Sequence, residues 1–326
     1  MKHIKTILFA AVLAALAPQL FAETITIVPF AYQGVSQGDA ETFTEMFVSE
    51  YASITNDDVA DRSNFDGIAE QHKFQLTDWS NNDKIAKLGK AMNAQKIICG
   101  RISVFGYAVT FTGRVLDVNS TKVLNSVNWK GESLEALLFD ITNVAKQLAG
   151  AYYIGGKGPG GGIIFYESEA GFSVQEADGT TTTCHYLEVS PTELGSVSWC
   201  WCGYYACSIQ TLEGVGDGKL NSQKIVDAHK DITAQECAAK LCLEYSTGTT
   251  KPGEWYLPSK IELNLIYETL RKSGKIVSDA WHWSSSQGNS YYAWVQRFSD
   301  GSQGYGYSYS YSDKGSNSCV RAVRAF

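Results

Sequence analysis

The stretch "GGKGPGGG", Gly155 to Gly162, constrains this chain more than any other. Glycine loses the most backbone freedom on ordering and proline has no N–H to give a ladder, so no helix or strand runs through such a segment. The backbone must turn there, and the residues on either side belong to separate folding units of ordinary domain size. A phosphate-cradling loop needs Gly-Lys-Ser/Thr at the end of the glycine run and a helix after it. Here Lys157 comes early in the run and an apolar strand, "IIFYE", follows, so a nucleotide site is not expected.

Ahead of the turn the pattern alternates strand and helix. "TITIVPF" is a short β run, and "DAETFTEMFVSEYASI" repeats Phe43, Phe47, Tyr51 and Ile54 at helical spacing. "DKIAKLGKAMNA" is helical and "KIICGRISVFG" is a strand in which Cys99 reads as a buried thiol. Two period-two segments then flank "NST", a hairpin turn whose preceding Asp117 is expected to cap the turn backbone rather than do chemistry. A helix from Ser133 to about Tyr152 closes a βαβαββα order, which implies a layered α/β domain over residues 23–152.

The first 22 residues have a Lys-bearing start, an apolar run from Ile7 to Leu16, Pro18 and a small residue at Ala22. That is the layout of a secretory signal peptide cleaved after Ala22, and no later segment is long and apolar enough to span a bilayer. With 27 Lys and Arg against 34 Asp and Glu, the net charge of -7 offers no basic stripe, so nucleic acid is not an expected partner. In an exported chain the even set Cys184, Cys200, Cys202, Cys207, Cys237 and Cys242 is expected to form disulfides, their connectivity open.

Beyond the turn, residues 153–326 change style. Two segments open with capping boxes, Thr233 with Glu236 and Ser259 with Glu262, the second leading a helix with Leu263, Ile266, Tyr267 and Leu270 on one face. Short aromatic strands follow in "WHWSSSQ", "YYAWVQRFS" and "SCVRAVRAF", which describes an α+β domain.

Two resemblances add to these readings. "ITIVPF" and "LGKAMNAQKIICGRISVFG...RVLDVNSTKVL" resemble the periplasmic α/β domain of curli-secretion lipoproteins, outer-membrane activators of penicillin-binding proteins and the amino-terminal domain of TolB-type proteins. That implies docking to an envelope protein. "GPGGGIIFYE", "GEWYLPSKIELNLIY", "WSSSQ", "AWVQRFSDG" and "VRAVRAF" occur in the order of a C-type lectin fold of the formylglycine-generating-enzyme type. The terminal part is similar to the variable proteins of diversity-generating retroelements, treponemal kind. There a reverse transcriptase rewrites adenines near the gene's end, so that a segment here spanning about residues 281–319 becomes a library of ligand-binding positions before a fixed last strand.

That resemblance gives a physical reading of "SDGSQGYGYSYSYSDKGSNSC", Ser299 to Cys319. Changing only the adenines of an AAC or AAU codon can produce Ser, Gly, Asp, Tyr, His or Cys among other residues, and these with Asn fill the stretch except at Gln303 and Lys314. Tyr, Ser, Gly and Asn are also the residues of antibody paratopes. The expected ligand-binding residues are Ser302, Tyr305, Tyr307, Tyr309, Tyr311 and Asn317, joined by His282, Asn289, Tyr291 and Tyr292 through outward alternation; Trp283, Trp294 and Phe298 are expected to be buried. If the four alternating tyrosines formed a strand they would instead make a packed stripe on one face.

A protein or glycan ligand is expected on this surface, and a fixed-sequence adhesin of the same fold is the alternative. "CWCGYYAC" lacks the CxxC spacing of zinc and redox sites, the sugar-binding triplets of calcium-dependent lectins are missing, and no acid-base pair can be placed, so neither metal, cofactor nor enzyme activity is expected.

Overall fold

In a computed structural model of the chain, residues 23–200, 206–229, 236–306, 308–309 and 312–326 are described. The expected signal peptide, Thr233, Cys202, Tyr307 and Tyr311 lie outside them. The described backbone divides into two compact units, the first ending at Gly150 and the second running from Ala151 to Phe326. No described helix is long and apolar enough to cross a membrane.

The first unit contains β1 (Thr24–Ile27), β2 (Ala31–Gln33), α1 (Gln37–Ile54), β3 (Asp58–Val59), α2 (Phe65–Gln71), α3 (Asn82–Ala91), β4 (Lys96–Phe105), β5 (Ala108–Asp117), β6 (Val123–Gly131), α4 (Leu134–Phe139) and α5 (Ile141–Ala149). Its sheet runs β3-β1-β4-β5-β6, with β2 also on β4. The pairs among β1, β2, β3 and β4 are parallel, whereas β4, β5 and β6 form an antiparallel meander. Period two sorts the sheet's apolar residues. Ile98, Ile102, Phe111 and Val115 meet Phe43, Phe47 and Leu148 of α1 and α5, and Ile97, Cys99 and Leu116 meet Phe65, Ile85 and Leu88 of α2 and α3. Cys99 is fully buried, and burial pushes its thiol pKa up. Asp117 caps the hairpin, accepting the Ser120 N–H at 2.6 Å. The helix expected from Ser133 is two helices. Ser133 does cap the first, but at Asp140 the chain breaks, where the carboxylate accepts the Trp129 indole N–H at 2.8 Å and the Asn143 amide at 2.7 Å.

The second unit mixes helices and strands: β7 (Ile163–Gln175), β8 (Thr181–Val189), β9 (Gly195–Ser198), α6 (Asp217–Asp227), α7 (Ala238–Glu244), α8 (Lys260–Ile266), β10 (Trp281–Gln287), β11 (Ala293–Arg297), β12 (Gln303–Gly304), β13 (Asn317–Val320) and β14 (Val323–Ala325). They make a five-stranded sheet, β12-β11-β10-β13-β9, and a three-stranded one, β14-β8-β7. Trp199, Trp255 and Trp283 fill one apolar cluster; Phe165, Tyr256 and Phe298 fill the other.

The glycine run has a structural use in this unit. Gly160 and Gly162 donate their backbone N–H groups to the buried carboxylate of Glu188 at 2.9 and 2.8 Å, and Arg324 of β14 closes on it at 2.8 Å. A Cβ on Gly158 or Gly160 would lie 2.4 Å from a Glu188 oxygen, so the approach requires glycine. The cradle expected to suit no phosphate holds the protein's own anion. The Ser259 capping box is complete, and Glu262 also accepts the Gly216 N–H at 2.8 Å. Burial pushes the Glu262 carboxyl up to about 7.

Candidate functional site

The expected ligand-binding residues fall into three groups by burial. β10 is the middle strand of its sheet and is buried along both faces, so alternation there does not separate inside from outside. Trp283 is buried as expected, its indole donating to Val197 O at 2.9 Å. His282, expected to face outward, is also fully buried and stacks on Phe298 at 4.1 Å between ring centroids.

Asn289, Tyr291, Ser302, Tyr305 and Asn317 are exposed, and Tyr292 and Tyr309 half-buried. Asn289 shapes the turn after β10, its side-chain oxygen accepting the N–H groups of Tyr291 at 2.8 Å and Tyr292 at 3.0 Å. β12 stops at Gly304, and the described residues after it up to Asp313 form turns with one isolated bridge, Tyr292 to Asp313, rather than a tyrosine-striped strand.

Tyr305 and Tyr309 lean on a glycine floor. Tyr305 lies edge-on to Trp294 at 4.8 Å and over Gly288, where a Cβ would come within 2.3 Å of its ring. Tyr309 meets Trp281 edge-on at 6.3 Å and covers Gly304. Trp294, expected to be buried, is half-buried and carries the Lys260 ammonium 3.6 Å over its ring. Aromatic faces and hydroxyls of the turns thus adjoin Trp294 of β11 and the Lys260 ammonium of α8, which is also paired with Glu213 at 2.8 Å, a surface suited to binding by contact area and hydrogen bonds.

Two residues missed as structural pins hold these turns. Lys314 has no exposed surface; its ammonium donates to Cys207 O at 2.5 Å, Gln287 Oε1 at 2.6 Å and Ser290 O at 3.3 Å, and stands 4.7 Å from the Trp199 ring. Burial lowers its pKa to about 8. Gln303 donates to Lys260 O at 2.8 Å. The signal in the sequence was their residue type: neither belongs to the set that surrounds it.

The disulfide expectation needs correction. Cys184, Cys207, Cys237 and Cys242 are free thiols, Cys202 is outside the described residues, and no bridge joins two described cysteines; Cys200 is disulfide-bonded. Cys237 and Cys242 are packed as small apolar groups in the tryptophan core, and burial raises both thiols. Two ligand clusters occur among the described residues, Cys200 with Cys207 and His229, and Glu193 with His282 and Cys319.

No protein-family model matches the sequence, and no curated protein does. Among solved structures, the LpoB C-terminal domain from Salmonella enterica is 13% identical over 36% of this chain and 88% of that one, with a TM-score of 0.30. The lipoprotein GNA1162 from Neisseria meningitidis is 13% identical over 37% and 94%, with a TM-score of 0.31. TolB from Acinetobacter baumannii is 13% identical over 50% and 38%, with a TM-score of 0.27.

Proposed function

We propose that this is an exported ligand-binding protein whose C-terminal unit has a C-type lectin fold of the formylglycine-generating-enzyme type. On this reading it presents a retroelement-diversified Tyr/Ser/Gly/Asn surface to a protein or glycan ligand. The observation that carries the reading is the fate of the two residues that break the adenine pattern. Gln303 and Lys314 are the exceptions between Ser299 and Cys319, and both are tied to backbone carbonyls of neighbouring segments. Ser302, Tyr305, Ser308 and Asn317, which fit the pattern, are exposed, and Gly304, Ser312 and Ser318, which also fit it, are buried beside the two pins. A diversified surface needs exposed positions that tolerate change and fixed positions that hold the loop, and the exposed members and the two pins supply both. The N-terminal unit is the half that docks to an envelope protein, and the reading assigns no catalysis.

Sequencing the end of the gene in many cells of one population tests this. The expected result is substitution at Asn289, Tyr291, Tyr292, Ser302, Tyr305, Tyr307, Tyr309, Tyr311 and Asn317, with Gln303 and Lys314 constant, and an Asn-codon-rich near-copy beside a reverse transcriptase. A single invariant copy overturns diversification and leaves a fixed adhesin.

A further inference from the structure

The ligand surface makes no use of a group of side chains at the centre of the five-stranded sheet. β13 runs parallel to β10 with Cys319 opposite His282, and β9 brings Ser196 opposite Cys319 on the other side. Glu193 enters just ahead of β9, and one ligand atom from each of Glu193, His282 and Cys319 lies within 4.8 Å of the others. His282 Nε2 is 3.0 Å from Glu193 Oε1, and its Nδ1 is 3.1 Å from Ala280 O.

Both ring nitrogens of His282 therefore face acceptors. A neutral ring has one N–H, so whichever tautomer is present sets a lone pair against an oxygen. A doubly protonated ring would meet both oxygens only by holding its charge on a side chain with no exposed surface. The Arg321 guanidinium stands 3.9 Å from the same Glu193 oxygen. A cation on Nε2, with Nδ1–H donating to Ala280 O, removes the conflict. A backbone carbonyl that fixes the ring in this way is the usual support of a metal-bound histidine.

We infer that Glu193, His282 and Cys319 form a binding site for one divalent metal ion of the zinc type. Thiolate, imidazole and carboxylate are zinc's ligand types, and two anionic ligands balance its charge when Cys319 gives its thiol proton to solvent. Cys319 also lines a cavity of about 250 Å³ with Ser196, Ala280, Trp281, Asn317 and Ser318, which gives water or a ligand atom access to the sulfur side of the site. The second cluster is the weaker candidate because the sulfur of Cys200 is already bonded.

The test uses the chain from residue 23 onward, freed of metal with a chelator, kept anaerobic without reductant, and titrated with Co²⁺ and then Zn²⁺. One equivalent of Co²⁺ is expected to give a near-ultraviolet sulfur-to-cobalt band that Zn²⁺ abolishes. Cys319→Ser should remove that band and weaken Zn²⁺ more than ~100-fold, since even groups that only support a ligand are worth about 10–100-fold. Cys207→Ser should keep both. Should Cys319→Ser fail to fold, Glu193→Gln gives the same reading, with the band retained and Zn²⁺ weakened. No binding by the parent chain, a band unchanged in Cys319→Ser, Zn²⁺ affinity unchanged in Glu193→Gln, or a loss that follows Cys207 instead overturns the site.

Discussion

At the scale of single residues, Lys314 shows how a charge is used without being a ligand-binding group. Its ammonium is enclosed and hydrogen-bonded, yet burial lowers its pKa from 10.5 to about 8. Between those values the unfolded chain holds more protons than the folded one, so stability should rise with pH from about 8 to 10.5. Urea unfolding across that window should show the rise in the parent and its loss in Lys314→Met. At pH 7 the same substitution should cost about 1–3 kcal/mol, because the carbonyls of Cys207 and Ser290 lose a buried donor. Trp283→Ala sets the upper end of the scale. It empties a fully buried site and should cost ~3–5 kcal/mol, read from the unfolding midpoint. Trp283 was legible in the sequence as core. His282 beside it was not, because period two assigns faces but cannot say that both faces of a strand are covered.

At the scale of elements, the capping box at Ser259 and the hairpin at Asp117 could be read from sequence because each depends on partners three residues apart. The terminal loop could be read as a loop for a related reason: small, turn-forming residues separate its tyrosines. What stayed hidden was the support beneath it, since Gly288 and Gly304 lie under Tyr305 and Tyr309 only once the strands are paired. Tyr305 and Tyr309 are neither free nor core. Tyr305→Ser should cost about 0.5–1.5 kcal/mol, the worth of one edge-on aromatic pair, and Tyr309→Ser a similar amount. Thermal melts of the two variants against Trp283→Ala check this. If either tyrosine variant melts as low as Trp283→Ala, the loop is part of the core and a tolerant, variable surface is untenable.

At the scale of the whole molecule, the sequence changes pattern at Gly155 and the backbone divides between Gly150 and Ala151. The reason the glycines are where they are was not legible, because it depends on Glu188 and Arg324, 28 and 136 residues apart from their partners. Glu188 has no exposed surface and takes two backbone N–H groups and one guanidinium, which ties the entry of the second unit to its last strand. Removing the cation leaves a buried carboxylate with hydrogen bonds but no opposite charge there, a change that typically costs ~3–5 kcal/mol. Arg324 also pairs with Glu254 at 3.0 Å, a partly exposed contact that adds little. Arg324→Ala should therefore lower the melting of residues 151–326 and leave that of residues 23–150 unchanged. Calorimetry on the joined chain and on each half expressed alone would resolve this, because independent units unfold in separate transitions. A single transition that moves as one in Arg324→Ala, or a first half that stays unfolded by itself, would mean that the two units share one cooperative core despite the division of the backbone at Gly150.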